Sequence, residues 1–139
     1  MLLTITPKWT WYVARSGGLV AWALCTASIV WGLLLSTRLV RRKGIPAWLL
    51  DLHRFLGALT VVFTAVHMLG LFLDQYAHFG VRELLVPMGS AWKPGAVAWG
   101  IVAFYVLLAV EATSLMMRRI PRRWWRLVHM TSFVLFEIG

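Results

Sequence analysis

Three long stretches of the 139-residue chain contain almost no charged side chain. Residues 16–37 and 55–73 carry none, and residues 94–117 carry only Glu111. A helix crosses the roughly 30 Å hydrocarbon core of a bilayer with about 20 predominantly apolar residues, so each stretch is long enough to span a membrane. The sequence therefore predicts three transmembrane helices.

The overall composition excludes an ordinary soluble globule. The sequence is 60% hydrophobic and 14% charged, whereas a soluble domain is roughly half apolar and a quarter charged. A net charge of +9 would fit a nucleic-acid-binding domain, but nine tryptophans and the long uncharged stretches favour the membrane as partner. The single cysteine, Cys25, excludes an internal disulfide framework and a cysteine-ligated zinc or iron–sulfur site, and is expected to be a small apolar helix residue.

A fourth apolar run begins at Leu127, and the sequence reaches Gly139 before this run is long enough to cross a bilayer. We therefore expect an all-α integral membrane helical bundle, with three full transmembrane helices plus an incomplete fourth. It is expected to form a single domain over residues 1–139. The N-terminal stretch lacks the pattern of a signal peptide, so the first helix is expected to be retained. The predicted helices cover about residues 16–37, 50–73, 94–117 and 124–139.

Lysine and arginine residues lie mainly on one side of the predicted membrane. Nine follow the first and third helices, and four lie on the opposite side. Cytoplasmic loops carry the excess of cations, so we expect a multi-pass protein of the inner (plasma) membrane with its N-terminus outside. The nine are Arg38, Arg41, Arg42, Lys43, Arg118, Arg119, Arg122, Arg123 and Arg126.

Two features are expected at the membrane surface. Residues 74–93 form an outer segment, in which a short surface helix near residues 81–86 would cap the space between the helices. Most tryptophans fall near predicted helix ends, where the amphipathic indole anchors a helix at the headgroup level. The residues assigned to this anchoring are Trp9, Trp11, Trp22, Trp48, Trp92, Trp99, Trp124 and Trp125.

Histidines inside predicted spans are the leading candidates for a functional site, because ionisable groups are costly in lipid. His53 and His67 lie 14 residues apart, which is about 21 Å along a helix and 40° short of four turns, so both lie on one stripe. His129 follows Arg126 at a depth similar to that of His53. Two facing imidazoles are the geometry for axial ligation of haem iron, although a membrane histidine taken alone is more often a helix-to-helix hydrogen bond. His78 is expected to be a surface residue.

Other residues are assigned supporting roles around this haem site. Arg54 and Arg126 are expected to neutralise haem propionates, because guanidinium pairs with carboxylate. Glu111 is expected to have a structural role or to belong to a proton path. Small residues on the second helix would leave space for a flat macrocycle, namely Gly57, Ala58, Thr60, Thr64 and Ala65.

Three segments carry a resemblance to a known family: Asp51-Leu52-His53-Arg54, Leu84-Leu85-Val86-Pro87, and Arg122-Arg123-Trp124-Trp125-Arg126-Leu127-Val128-His129. Over residues 17–139 the chain resembles the ferric reductase-like transmembrane domain family. This family includes ferric reductases, NADPH oxidases and the haem-bearing membrane subunit of the bacterial periplasmic methionine sulfoxide reductase system.

The resemblance implies two histidine pairs that hold two stacked b-type haems. Within each pair of this family, the histidines lie about 13 or 14 residues apart. His53 and His67 match the first pair, and His129 matches the inner member of the second. The outer member would fall just beyond Gly139, so we expect the chain to be C-terminally truncated and to hold one or two haem b groups through these three metal ligands.

The resemblance also implies a function. It points to a membrane electron-transfer protein, and an oxidoreductase component, that passes electrons from a cytoplasmic-side donor to an outer-side acceptor. The sequence has no Gly-rich dinucleotide motif, so the expected donor is a separate flavoprotein, a quinol or a bound flavin. The expected acceptor is ferric iron, a quinone or a periplasmic partner. The alternatives are a haem-free proton or ion conductor that uses Glu111, and a scaffold subunit.

Overall fold

The computed structural model describes residues 8–37, 47–74 and 79–138. All regular structure in these residues is α-helical, which confirms the predicted fold class. The helices are α1 (Lys8–Ser36), α2 (Ala47–Leu73), α3 (Val81–Leu85), α4 (Pro94–Leu115), α5 (Arg122–Met130) and α6 (Ser132–Ile138). Helices α1, α2 and α4 are long and apolar enough to cross a membrane, as predicted.

Helix α1 begins earlier than the charge pattern predicts. It starts at Lys8 rather than near residue 16 and includes the charged side chain of Arg15. The guanidinium carbon of Arg15 lies 4.6 Å from the ring centroid of Trp11, a cation–π contact on the same helix. A charge-free stretch marks the part of a helix that fits the hydrocarbon, whereas the backbone hydrogen bonds continue past it.

The predicted fourth helix is divided into α5 and α6 by a turn at Thr131. The hydroxyl and the backbone N–H of Thr131 both donate to the carbonyl of Val128, three residues earlier. This local bonding tightens the turn and interrupts the regular α-helical pattern. Helix α5 begins after Pro121, whose carbonyl accepts a bond from the backbone N–H of Trp124 at 3.0 Å.

Helices α1 and α2 pack against each other as an antiparallel pair. Near one end, the Thr10 hydroxyl donates to Oδ1 of Asp74 at 3.2 Å. Near the other end, Nε1 of Trp31 donates to the carbonyl of Leu49, also at 3.2 Å. Small residues allow the two backbones to approach closely between these bonds.

A small core joins the helix pair to the second half of the chain. Ala103 and Leu107 of α4 and Leu135 of α6 are buried together. Cys25 of α1 packs against this cluster and is half-buried, which agrees with its prediction as a small apolar helix residue. The core therefore holds α4 and α6 against the α1–α2 pair.

The outer surface of the bundle is strongly apolar. The side chains of Leu19, Phe55 and Leu115 are 68%, 60% and 86% exposed, respectively. Large contiguous apolar surfaces are rare on soluble monomers but are expected where lipid is the solvent. The exposed side chains therefore support the assignment of this chain as a membrane protein.

The predicted surface helix in the segment after α2 is present as α3. The Tyr105 hydroxyl on α4 donates to the carbonyl of Leu85 at 2.7 Å and ties α3 to the bundle. Phe79 is buried and packs edge-on against Trp92, with ring centroids 6.1 Å apart. These contacts bring the segment over one end of the helices.

Trp22 does not lie at a helix end, so its predicted anchoring role is wrong. It lies near the middle of α1, because that helix begins at Lys8. Its indole stacks on Phe136 of α6, with ring centroids 6.0 Å apart and planes at 20°. Trp22 therefore packs between helices rather than at the headgroup level.

Candidate cofactor site

His53 of α2 and His129 of α5 face each other across the bundle. Their ring centroids lie 6.0 Å apart, with an angle of 67° between the ring planes. A metal ion held between two imidazoles forms two bonds of about 2 Å, so the ligating nitrogens lie about 4 Å apart and the ring centres further. The observed separation fits this arrangement. Two of the three histidines predicted as ligands are thus brought together.

The Nδ1 atoms of both rings face groups on other helices. Nδ1 of His53 donates to the backbone carbonyl of Ser28 at 3.0 Å, and the Ser28 hydroxyl lies 3.3 Å from the same nitrogen. Nδ1 of His129 lies 3.4 Å from the hydroxyl of Ser114 on α4. A carbonyl can only accept a hydrogen bond, so the proton of neutral His53 lies on Nδ1 and Nε2 keeps its lone pair for a metal.

A cavity of about 150 Å³ lies between these histidines, and we call it the paired-histidine cavity. It is smaller than the roughly 300 Å³ of a typical ligand pocket, but it is not closed, so a larger planar group would extend beyond its walls. Small and hydroxyl-bearing residues form much of the lining, including Cys25, Ser28, Gly32, Gly57 and Thr60.

Only part of the small-residue pattern on α2 faces a cavity. Gly57 and Thr60 line the paired-histidine cavity, and Thr64 lines its neighbour. Ala58 and Ala65 are exposed and belong to neither lining, so the prediction that they provide space for a macrocycle is wrong. Helical periodicity separates these two alanines from the face that carries the histidines.

Glu111 of α4 also lines the paired-histidine cavity. Its carboxylate lies against Gly57, one turn along α2 from His53, and a Cβ built on this glycine would overlap Oε1 of Glu111. The carboxyl group therefore occupies the space that a side chain at residue 57 would need. Its predicted structural or proton-carrying role remains a prediction.

Trp125 lies beside His129 on α5. Its ring stacks on the imidazole, with centroids 5.0 Å apart and planes at 25°. The indole Nε1 is buried and has no hydrogen-bond partner among the residues that the structure describes. A buried donor without a partner is unusual, and it is available for an acceptor on a group bound next to His129.

His67 lies at a second level along α2. Its Nδ1 donates to the backbone carbonyl of Ala14 at 2.6 Å. It lines a cavity of about 630 Å³ together with Arg15 and Trp22, and we call this the His67 cavity. In residues 8–37, 47–74 and 79–138 no second histidine faces it, and His78 lies outside these described residues.

The outer segment covers part of this second level. A further cavity of about 290 Å³ is lined by His67 on one side and by Phe79, Leu84 and Trp92 on the other. The segment that contains α3 thus closes over the space beside His67, as the sequence suggested for a cap between the helices.

The predicted cationic residues lie away from the paired-histidine cavity. Arg54 is exposed and lies 3.7 Å from Oδ1 of Asp51, and Arg126 is also exposed. Neither lines the cavity, so their pairing with propionates stays a prediction. Arg15, which the sequence argument did not select, lines the His67 cavity. The basic residues at 38–43 lie outside the described part of the chain.

The donor set suits a haem better than a metal ion bound by protein alone. Within the described residues, no group of three or more His, Cys, Asp or Glu side chains is placed to hold a metal ion. A structural zinc site needs four protein ligands, whereas a haem supplies four nitrogens itself and needs only axial ligands from the protein. Two opposed imidazoles with a buried indole donor beside them fit the second case.

Sequence reasoning missed the groups that hold the histidines. Ser28, Ser114 and the Ala14 carbonyl all face an Nδ1 atom. Serine and alanine are too common in membrane helices to be selected by type. A signal was nevertheless present, because Ala14 and Ser28 are separated by 14 residues, as are His53 and His67.

Comparison with known proteins identifies one family for this chain. No curated protein and no solved structure matches the chain. The profile of the family described as "Ferric reductase like transmembrane component" matches residues 17–139, which include all three candidate histidine ligands. On this match over most of its length, the chain belongs to the ferric reductase-like transmembrane family.

Proposed function

We propose that this protein is a haem b-binding component of membrane electron transfer, with His53 and His129 as the axial ligands of one haem. Family membership supports a membrane electron-transfer role. The observation that carries the haem assignment is the 6.0 Å approach of the two imidazole rings from separate helices. A bound haem supplies one-electron chemistry, and two histidine ligands favour electron transfer over oxygen binding.

The residues around the two histidines support this role. The Ser28 carbonyl holds the proton of His53 on Nδ1, which leaves Nε2 to bind the metal. Trp125 covers one face of His129 and restricts rotation of its ring. The indole N–H of Trp125 is buried without a partner among the described residues, and it would donate to an acceptor group on a bound haem.

His67 is proposed to mark a second cofactor level on the opposite side of the membrane. The His67 cavity is the larger of the two, and its lining includes the cation of Arg15. With the N-terminus outside, electrons would pass from a cytoplasmic donor through the paired-histidine level toward this outer level. A separate flavoprotein or a quinol is the proposed donor, and ferric iron, a quinone or a periplasmic partner is the proposed acceptor.

The visible spectrum of the purified protein tests the haem assignment. The reduced-minus-oxidised spectrum in detergent is expected to show low-spin b-type bands, and His53→Ala or His129→Ala should remove most of the haem at this level. His67→Ala is the matched control, because it removes the same residue type from the same helix as His53. The visible bands of the haem held by His53 and His129, which we call the paired-histidine signal, should remain in this variant.

Loss of folding must be separated from loss of a ligand. His129→Met supplies an alternative axial ligand and is expected to keep haem with a shifted spectrum and a higher midpoint potential. The proposal would be overturned by a monodisperse, helical protein that stays colourless when haem is supplied, or by unchanged haem content in both alanine variants.

The position of Glu111 favours a second candidate function, proton conduction. Its carboxyl group lines the paired-histidine cavity and lies within a membrane-spanning helix. A conductor would show proton flux in haem-free liposomes, and Glu111→Gln would abolish this flux. Absence of flux from haem-free protein would exclude this function.

A further inference from the structure

Helix α1 carries no histidine, yet it contacts the histidines of α2 at two equivalent places. The backbone carbonyl of Ala14 accepts a bond from Nδ1 of His67 at 2.6 Å, and that of Ser28 accepts one from Nδ1 of His53 at 3.0 Å. The two carbonyls are separated by 14 residues, as are the two histidines. The same bond is therefore made twice along the antiparallel helix pair.

A glycine follows each carbonyl by four residues, which is one turn of α1. A Cβ built on Gly18 would lie 2.9 Å from Nδ1 of His67, and a Cβ on Gly32 would lie 3.0 Å from Cε1 of His53. Both distances are shorter than ordinary van der Waals contact. The Nδ1–Cε1 edge of each imidazole thus lies against a part of α1 that has no room for a side chain.

Helical geometry explains why both levels share one arrangement. An interval of 14 residues is about 40° short of four turns in any α-helix. The face of α1 that carries Ala14 and Ser28 and the face of α2 that carries the two histidines therefore rotate by a similar angle about their helix axes. The same two faces stay in contact over the interval. A carbonyl and a glycine on α1 meet a histidine on α2 at both levels.

We propose that α1 is a positioning helix for both histidine levels. At each level a carbonyl, of Ala14 or Ser28, holds the ring proton on Nδ1 and leaves the lone pair of Nε2 free to bind a metal. The glycine one turn later, Gly18 or Gly32, sets the plane of the ring. This inference rests on the proposed function only in assigning Nε2 to a haem, since the contacts with α1 involve the protein alone.

The consequence for a bound metal follows from the chemistry of imidazole. Donation of Nδ1–H to a carbonyl raises the electron density on Nε2 and makes it a more basic ligand. With a haem bound, the glycine contact would fix the angle of the His53 ring about the metal–nitrogen bond. The g values of low-spin ferric haem depend on the angle between its two axial imidazole planes, so they report directly on this positioning.

Replacement of one of these glycines by alanine should affect only the histidine that this glycine contacts. Gly32→Ala is expected to shift the g values and midpoint potential of the haem held by His53 and His129, or to release it. Gly18→Ala is the matched control on the same helix, and its paired-histidine signal should equal that of the unchanged protein. Gly95→Ala is a second control, because a Cβ there meets nothing within 4 Å.

Two outcomes would contradict the positioning role. One is Gly32→Ala with unchanged g values and potential, and the other is an equal change in the paired-histidine signal caused by Gly18→Ala. If Gly32→Ala does not fold, ¹⁵N NMR of the haem-free unchanged protein decides. His53 and His67 must then both carry the proton on Nδ1, and a proton on Nε2 of either ring overturns the inference.

The NMR measurement also separates this inference from the proposed function. The ring proton is observed without haem, so a protein that binds no haem but shows both Nδ1–H forms would defeat the proposed function and retain the positioning role. A haem-binding protein with the proton on Nε2 of His67 would retain the proposed function and overturn the positioning role.

Discussion

The carboxylate of Glu111 lies against the backbone of Gly57, where α4 meets α2. The contact lies one turn of α2 from His53, and both Gly57 and Glu111 line the paired-histidine cavity. Only glycine leaves room for the carboxylate in this position. The position of the Glu111 carboxylate beside the candidate haem site thus depends on the absence of a side chain at residue 57.

Gly57→Ala should therefore destabilise the bundle. The added Cβ would overlap the Glu111 carboxylate. Because a carboxylate at the end of a flexible side chain can turn aside, we expect a loss at the low end of overpacking, about 1 kcal/mol in the free energy of unfolding. The measurement is thermal or denaturant unfolding in detergent. The double variant Gly57→Ala/Glu111→Ala should recover most of the loss, because the two residues are directly coupled. If it is no more stable than Gly57→Ala alone, the contact does not limit the packing.

Gly70→Ala should separate α1 from α2. Its Cβ would lie 2.8 Å from both the backbone nitrogen and Cα of Ala14, and a backbone cannot move aside as a flexible side chain can. We expect a loss of about 1–3 kcal/mol in the free energy of unfolding. Gly100→Ala is the matched control, because a Cβ there meets nothing within 4 Å. Equal stability of the two variants would show that the close approach at Gly70 is not required.

Trp125→Phe should separate stacking from hydrogen bonding beside His129. The phenyl ring keeps an aromatic contact but lacks Nε1–H, which is buried without a partner among the described residues. The haem-free variant should unfold no more easily than the unchanged protein, since an unsatisfied donor is removed. Haem affinity should fall roughly 2- to 10-fold, because a neutral hydrogen bond contributes about 0.5–1.5 kcal/mol.

Haem titration and unfolding of the haem-free form measure these two effects independently. Unchanged haem affinity in Trp125→Phe would show that the indole N–H does not bond to the cofactor. Trp124→Phe is the comparison variant, because Trp124 is adjacent in sequence but half exposed.

Tyr105→Phe should loosen α3 without affecting the paired-histidine level. The substitution removes only the hydroxyl that donates to the Leu85 carbonyl at 2.7 Å. The local cost is expected to be about 0.5–1.5 kcal/mol. Hydrogen exchange of residues 81–86 should become faster, while the spectrum of the haem between His53 and His129 stays unchanged. Exchange at the original rate would mean that other contacts hold α3.

The distribution of charges was sufficient to predict the three long helices but not their ends. Lys8 and Arg15 belong to α1 although they interrupt the apolar pattern. The turn at Thr131 depends on two bonds to the Val128 carbonyl, which hydropathy does not describe. Charge patterns report transfer into lipid, whereas helix ends depend on local hydrogen bonding.

The histidine pattern predicted the position of each histidine along its own helix, but not all of the groups that contact it. The interval between His53 and His67 follows from helical periodicity, and the equal depth of His53 and His129 follows from the positions of the basic segments. Trp125, which stacks on His129, lies four residues before it on the same helix, so this contact also follows from helical periodicity. Depth leaves open which groups of other helices face the two rings.

The sequence by itself determined the helical membrane architecture and the placement of histidines along α2, because hydrophobic length and helical period are properties of one segment. Tertiary structure alone decided which groups face those histidines. The register of α1 against α2 places the Ser28 carbonyl on His53 and the Ala14 carbonyl on His67. The register of two helices depends on how their surfaces pack together. Gly18 and Gly32 leave room on α1 for the imidazole rings of α2, and this fit cannot be read from the sequence of either helix alone.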